Sequence, residues 1–150
     1  MPYTEKNDGN VRWWRMKGLG QNWNNDMPPA RFVKMTTYNL KRGKSSGFFR
    51  FWRNNVKLQK SLGYSGVSGV FMLQSGGQAF QVMEVEAYNS HAEGKGSIKN
   101  SDINYVEEYN KMFGWRSHRN DQAAYDAAIE QWGITIETAE LKPEMSSKLK

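Results

Sequence analysis

Cysteine is absent from these 150 residues, which excludes a disulfide framework, a thiolate zinc site and a cysteine nucleophile. Histidine is nearly absent. His91 and His118 are the only two, so no histidine metal cluster is expected and a Ser-His-Asp triad would have to recruit one of them. No run approaches the roughly 20 apolar residues of a membrane span, and the opening MPYTEKNDGN has no apolar stretch of signal-peptide length, so a cytoplasmic protein is expected. The glycines show neither phosphate-loop nor dinucleotide spacing, and no nucleotide or other cofactor is anticipated.

Acidic charge is also short, with 15 Asp and Glu against 21 Lys and Arg for a net +6. The excess is concentrated in residues 1–60, where 13 basic residues face three acidic ones. Such a half attracts phosphate-rich partners over long range. It also reads as a solvated face complementing the mixed second half.

What the chain has in quantity is large apolar side chains: 38% of it is hydrophobic and 13% aromatic, a composition that supports one core at this length. The segment RFVKMTTYNLKRGKSSGFFRFWRNNV, residues 31–56, reads as a strand, a basic turn and a helix. β-branched and aromatic residues alternate from Arg31 to Leu40, and Ser45 or Ser46 is placed to cap the helix. Phe48, Phe49, Trp52 and Val56 recur at helical spacing up to a stop near Leu62-Gly63. Val67 to Gln74 and Ala79 to Tyr88 read as a hairpin joined by Ser75-Gly76-Gly77-Gln78. The stretch from His91 to Asn100 reads as loop. Another helix is expected over Asp102 to Phe113, capped by Ser101 or Asp102 and stopped by Gly114, with Ile103, Val106, Tyr109 and Phe113 as its stripe. A third is expected from Asn120, lined by Ala124, Ala128, Ile129 and Trp132 and ended by Gly133, before a last strand over Ile134 to Leu141.

The order predicts an α+β fold, a ferredoxin-like βαββαβ plait with an extra helix before its last strand. The domain spans residues 31–142, after a Trp-rich extension over 1–30 and before a tail over 143–150. Trp13, Trp14 and Trp23 sit in that extension among Gly, Asn and Pro with neither period sustained. Each ring has roughly 150–250 Å² to bury, so the arm should pack on its own domain or on a second subunit.

The strand-turn-helix segment resembles the opening of a dimeric α+β barrel domain. In the EthD-like branch a strand beginning Val-Lys leads through a basic turn to a helix bearing Phe-x-x-aromatic-Trp-Arg, here Phe48, Phe51, Trp52 and Arg53. Val56, Lys57 and Leu58 stand where that branch often has His-Gly-Pro. VEAYNSHA, from Val85 to Ala92, is similar to the strand-end aromatic-x-Ser-x-x-Ala pattern of antibiotic-biosynthesis-type monooxygenases, with Tyr88 and Ser90 in the two motif places. Haem-degrading members pair a first-strand Asn with a Trp; Thr36 and Tyr88 occupy those positions here, which disfavours haem degradation. The resemblance implies a homodimer in which two open sheets pack face to face, burying alternate residues such as Val33, Met35, Val70, Met72, Val85 and Ile136. It also implies cofactor-independent proton transfer or oxygenation on an apolar or aromatic small molecule.

For such a site the sequence offers His91 as general base, its ordinary pKa of about 6.5 suiting proton transfer near neutrality. Tyr88 is the matching hydrogen-bond donor. Tyr38, Trp52, Met72, Phe80 and Tyr88 are candidate wall residues, though the same stripe also describes a filled core. His91, close to Gly94 and Gly96, also reads as a solvated loop residue, and His118 in WRSHRN more so. Glu84 and Glu86 share one face of the third predicted strand, fit for acid/base work or for an ion pair with Lys34 on a neighbouring strand.

The RNA recognition motif shares the βαββαβ order. GQAFQVM, residues 77–83, keeps that motif's Gly, Ala and Phe but has Gln78 and Met83 where stacking aromatics belong, so only weak, non-specific nucleic-acid binding is expected. A structural or assembly role without catalysis is the other alternative.

Overall fold

In a computed structural model, residues 11–24, 26–76, 80–92 and 96–142 are described. The elements are β1 (Arg12–Arg15), β2 (Phe32–Leu40), α1 (Ser45–Ser61), β3 (Val67–Ser75), β4 (Gln81–Tyr88), α2 (Tyr105–Phe113), α3 (Ser117–Ala128) and β5 (Ile129–Glu140). All strands join one sheet of order β1-β3-β4-β2-β5 in which neighbours are antiparallel. Without β1 this is the split βαβ order of a ferredoxin-like α+β plait. β2 and β3 run parallel with β4 between them, and β4 and β5 run parallel with β2 between them. Crossovers of one hand therefore put α1, α2 and α3 on one face.

Register decides which side chains meet those helices. Tyr38 pairs with Val82, Thr36 with Glu84 and Lys34 with Glu86. On β3, Val70 lies opposite Glu84 and Met72 opposite Val82. This face carries the core of Leu19, Tyr38, Leu40, Phe48, Val70, Val82 and Ala128. The other face carries Val33, Met35, Phe71, Met83 and Val85, all partly exposed. Of the alternate residues expected on the uncovered face, Val33, Met35 and Val85 are there. Val70, Met72 and Ile136 belong to the helix side, because Ile136 pairs with Thr36.

α1 is apolar on two sides. Phe48 and Trp52 stack toward Tyr38 on the sheet, whereas Phe51 meets Tyr109 of α2 and Tyr125 of α3. Gly47 is needed here: a Cβ on it would lie 2.9 Å from Ala124 Cβ, so the absent side chain sets how closely α1 and α3 approach. Asp121 knits the helices together, accepting from Arg50 Nε at 2.8 Å, Asn54 Nδ2 at 3.1 Å and the Tyr109 hydroxyl at 2.9 Å.

Several sequence expectations are corrected. The arm is not merely an extension, since β1 pairs with β3 from Arg12↔Ser75 to Arg15↔Phe71 and its continuation buries Leu19. Trp23 packs edge-on to Phe71, whereas Trp14 is left 65% exposed at the sheet edge. Neither serine caps α1; Lys44 holds the N-cap position and makes no side-chain cap. α2 begins at Tyr105, where the Asn104 side chain accepts from the Glu107 amide. α3 begins at Ser117 because Asn110 Oδ1 accepts from the His118 amide at 3.0 Å. The chain passes directly from Ala128 into strand, with Ile129 opposite Leu40. Trp132 consequently belongs to β5, at φ 59° and 92% exposed, and lines no helix. Part of the expected hairpin turn, residues 77–79, and the tail over 143–150 lie outside the described residues. No helix among the described residues is long and apolar enough to cross a membrane.

Candidate functional site

A cavity of about 350 Å³ opens between α1, the helix-side face of the sheet and the arm, within the roughly 300–1,000 Å³ range of small-molecule sites. α1 presents Phe51, Trp52, Asn55, Val56 and Gln59 to it at helical spacing. The sheet supplies Ser68, Glu84 and Glu86, the arm Leu19 and Gln21, and α3 supplies Tyr125.

The arm is fixed against this site by main-chain bonds. Gln21 and Ser68 exchange amide-to-carbonyl hydrogen bonds of 2.9 and 2.8 Å, and the Trp52 indole donates to the Leu19 carbonyl at 3.0 Å. That bond holds the Trp52 ring upright, 5.7 Å from the Tyr38 ring at 82°. The Gln21 side-chain amide donates to Gln59. Of the lining residues, Asn55 is held by Tyr105, whose hydroxyl donates to its Oδ1 at 2.6 Å.

Two carboxylates reach the covered face. Lys34 Nζ lies 3.8 Å from Glu86 Oε2, the cross-strand ion pair that alternation permits. Glu84 acts on the neighbouring phenols. Burial, then Tyr125, then Glu84 push the Tyr38 hydroxyl above the ordinary phenol range, and a hydrogen bond joins it to the Tyr125 hydroxyl. Burial pushes Tyr125 up as well. Both stay protonated at neutral pH, and since one hydroxyl donates to the other, one O–H of the pair is left to donate elsewhere.

The sequence-predicted residues divide into three groups. Trp52 and Glu84 line the cavity, and Tyr38 stands directly behind Trp52 and Tyr125 in the core. Met72 lies farther along the same face opposite Val82 and Trp14, and Phe80 turns out at φ 64°, 40% exposed. Tyr88 and His91 form a separate stack on Phe32, with centroids 5.5 and 4.0 Å from its ring. The Arg31 guanidinium lies over the same Phe32 ring, 5.0 Å from its centroid. His91 is therefore a ring against a ring, and neither it nor Tyr88 lines the cavity. Gln21, Gln59, Ser68 and Tyr125 are site residues that sequence reading missed. The 3.6 period places Gln59 on the α1 face of Trp52 and Val56, and this is the signal that was available.

Among the described residues no three His, Asp or Glu side chains gather at a metal-sized site.

No protein-family model matches the sequence, and no curated protein matches it. Two crystal structures of one Agrobacterium tumefaciens protein, Atu4242, are similar in three dimensions, one of them described as a NIPSNAP family protein with unknown function. Each is 20% identical and superposes over 79% of this chain, covering 99% and 93% of the other, with a TM-score of 0.41. At that distance nothing about chemistry transfers.

Proposed function

We propose that this protein binds a small molecule in the cavity between α1 and the sheet, with Trp52 as the flat wall and Glu84 as the acid/base group opposite it. The observation that carries the reading is their placement: an indole held by a carbonyl and a carboxylate on the covered sheet face line one cavity. A ring or short apolar body fits against Trp52 and Phe51, and the surrounding amides, Ser68 and Tyr125 supply hydrogen bonds that fix its orientation. For proton-transfer chemistry on such a molecule, Glu84 takes the role that sequence alone gave to His91, since only the carboxylate lines this space.

The test is a ligand screen on the wild type and on Val56→Phe, which fills the cavity from α1. Ligands of the site raise the melting temperature of the wild type and not of the variant. Equal shifts in both, or none for any compound, overturn the reading.

A second element of the proposal is a homodimer formed through the open sheet face. Val33, Met35, Phe71, Met83 and Val85 support it, as apolar neighbours with none of the three described helices over them. Light scattering should give twice the chain mass, and Val85→Lys should halve it without loss of secondary structure. A wild-type monomer at micromolar concentration refutes the dimer. RNA recognition is less well supported, because Val33, Met35, Met83 and Val85 on β2 and β4 offer no ring for a base to stack on and the Phe71 ring on β3 is packed edge-on to Trp23.

A further inference from the structure

We infer that the arm holds a second, smaller site that binds a phosphate dianion, free or as the monoester of a small molecule. The inference goes beyond the α1–sheet cavity and does not depend on it.

Its first support is a hollow lined by charge of one sign. About 170 Å³ of space lies where the arm passes the last turn of α1, with Arg15 and Lys17 on the arm and Lys60 on the helix. Among the described residues no carboxylate lines it. The sign does not hang on Arg15, because Lys17 and Lys60 make the lining positive by themselves, and neither forms an ion pair among the described residues. A concavity of one charge sign with apolar walls, here Met16 and Trp23, concentrates counter-ions.

The second support is that the hollow is preformed. The Met16 amide donates to the Val70 carbonyl at 2.8 Å, and Asn22 Nδ2 donates to the Tyr64 and Gly66 carbonyls at 3.0 and 2.8 Å. Both ends of this stretch of arm are thereby tied down. Between them a Cβ on Gly20 would lie 2.4 Å from the Ser68 carbonyl oxygen, so the arm rests directly on β3. The Arg15 guanidinium lies 5.6 Å from the centroid of the Trp23 ring. Cations gathered on a fixed frame repel one another, and an anion that settles among them removes that cost with little ordering of its own.

The third support is size and charge together. At about 30 Å³ per water, the space holds on the order of five or six waters, less than the roughly 300 Å³ at which sites for larger ligands begin. A tetrahedral oxyanion fits that room. Two ammoniums and a guanidinium match the near-double charge and the several acceptor oxygens of a phosphate group, whereas a carboxylate brings one charge.

The experiment is isothermal titration at about pH 8, above the second phosphate pKa of a monoester, with sodium phosphate, methyl phosphate and sodium acetate against sodium chloride of equal ionic strength. Saturable binding of phosphate is expected, with acetate about tenfold weaker for want of the second charge. Methyl phosphate bound as tightly as phosphate assigns the site to a monoester; phosphate bound alone assigns it to the free ion. Lys17→Gln and Lys60→Gln should each weaken phosphate binding about three- to fivefold, the worth of an exposed charge contact. Lys44→Gln, at the opposite end of α1, should change nothing. All three lysines are exposed, so the variants keep the fold. Heats no larger than those of chloride, acetate bound as tightly as phosphate, or a phosphate affinity indifferent to either of the first two changes overturns the inference.

Discussion

The Tyr109 hydroxyl donates to Oδ2 of Asp121 at 2.9 Å, inside the contact between α2 and α3. Tyr109 is fully buried and Asp121 nearly so. Asn54 Nδ2 donates to the same oxygen at 3.1 Å, and Arg50, with a side chain 54% exposed, binds Oδ1 at 2.8 Å. Water can replace Arg50 but cannot reach the Tyr109 side. Tyr109→Phe should therefore cost about 1.5–3 kcal/mol, the usual worth of a hydrogen bond to a charged group. Arg50→Ala should cost about 1 kcal/mol or less. Urea unfolding of the two variants checks the ranking; equal losses would mean that the network is held by its charge pair.

Gly47→Ala separates helix propensity from packing. Gly47 lies in the first turn of α1, where alanine gains over glycine at most the advantage of about 1 kcal/mol that it has in a helix interior. Here the added Cβ would meet Ala124 Cβ at 2.9 Å and the Ala124 carbonyl at 3.1 Å, and overpacking of that kind costs about 1–3 kcal/mol. The packing effect should win, lowering the melting temperature. A rise would show that α3 can move away freely.

Leu19 lies outside the predicted domain yet is 4% exposed in its core, and its carbonyl accepts the Trp52 indole. Leu19→Ala should destabilise the protein by about 2–5 kcal/mol, as truncation of a buried leucine does. Chemical denaturation with an unchanged m-value is the check. A loss near zero would demote the arm to a dispensable extension.

Stability should fall as pH rises above about 10. Burial pushes the Tyr105 hydroxyl from 10.0 up to about 12, and Tyr38, Tyr109 and Tyr125 shift in the same direction, chiefly through burial. Below the unfolded value both states keep these protons and stability does not depend on them. Between the unfolded and folded values the unfolded chain binds fewer protons, so stability falls as pH rises. Melting temperature recorded across that range, with tyrosinate absorbance as the ionisation signal, should show both changes together. Ionisation of more than three of the seven tyrosines in the folded state near pH 10 would contradict the burial of these four rings.

Local patterns determined most of the architecture before any contact was known. The alternation of Arg31 to Leu40 and the stripe of Phe48, Trp52 and Val56 in α1 need only near neighbours to be read, and so do the Gly63 and Gly114 stops. β1 was hidden because RWWR, residues 12–15, is too short for a period to emerge. Only the open edge of β3 makes it a strand. The end of α3 and the emergence of Trp132 were decided likewise by the pairing of Ile129 with Leu40, a constraint that apolar spacing does not contain. The same limit governs the site. Sequence placed Glu84 and Glu86 on one face and Trp52 on the inner side of α1, because each relation lies within a single element. That Gln21 faces Gln59, and that Tyr88 and His91 stack on Phe32 outside the cavity, are relations between distant segments, fixed by strand register and by the path of the arm.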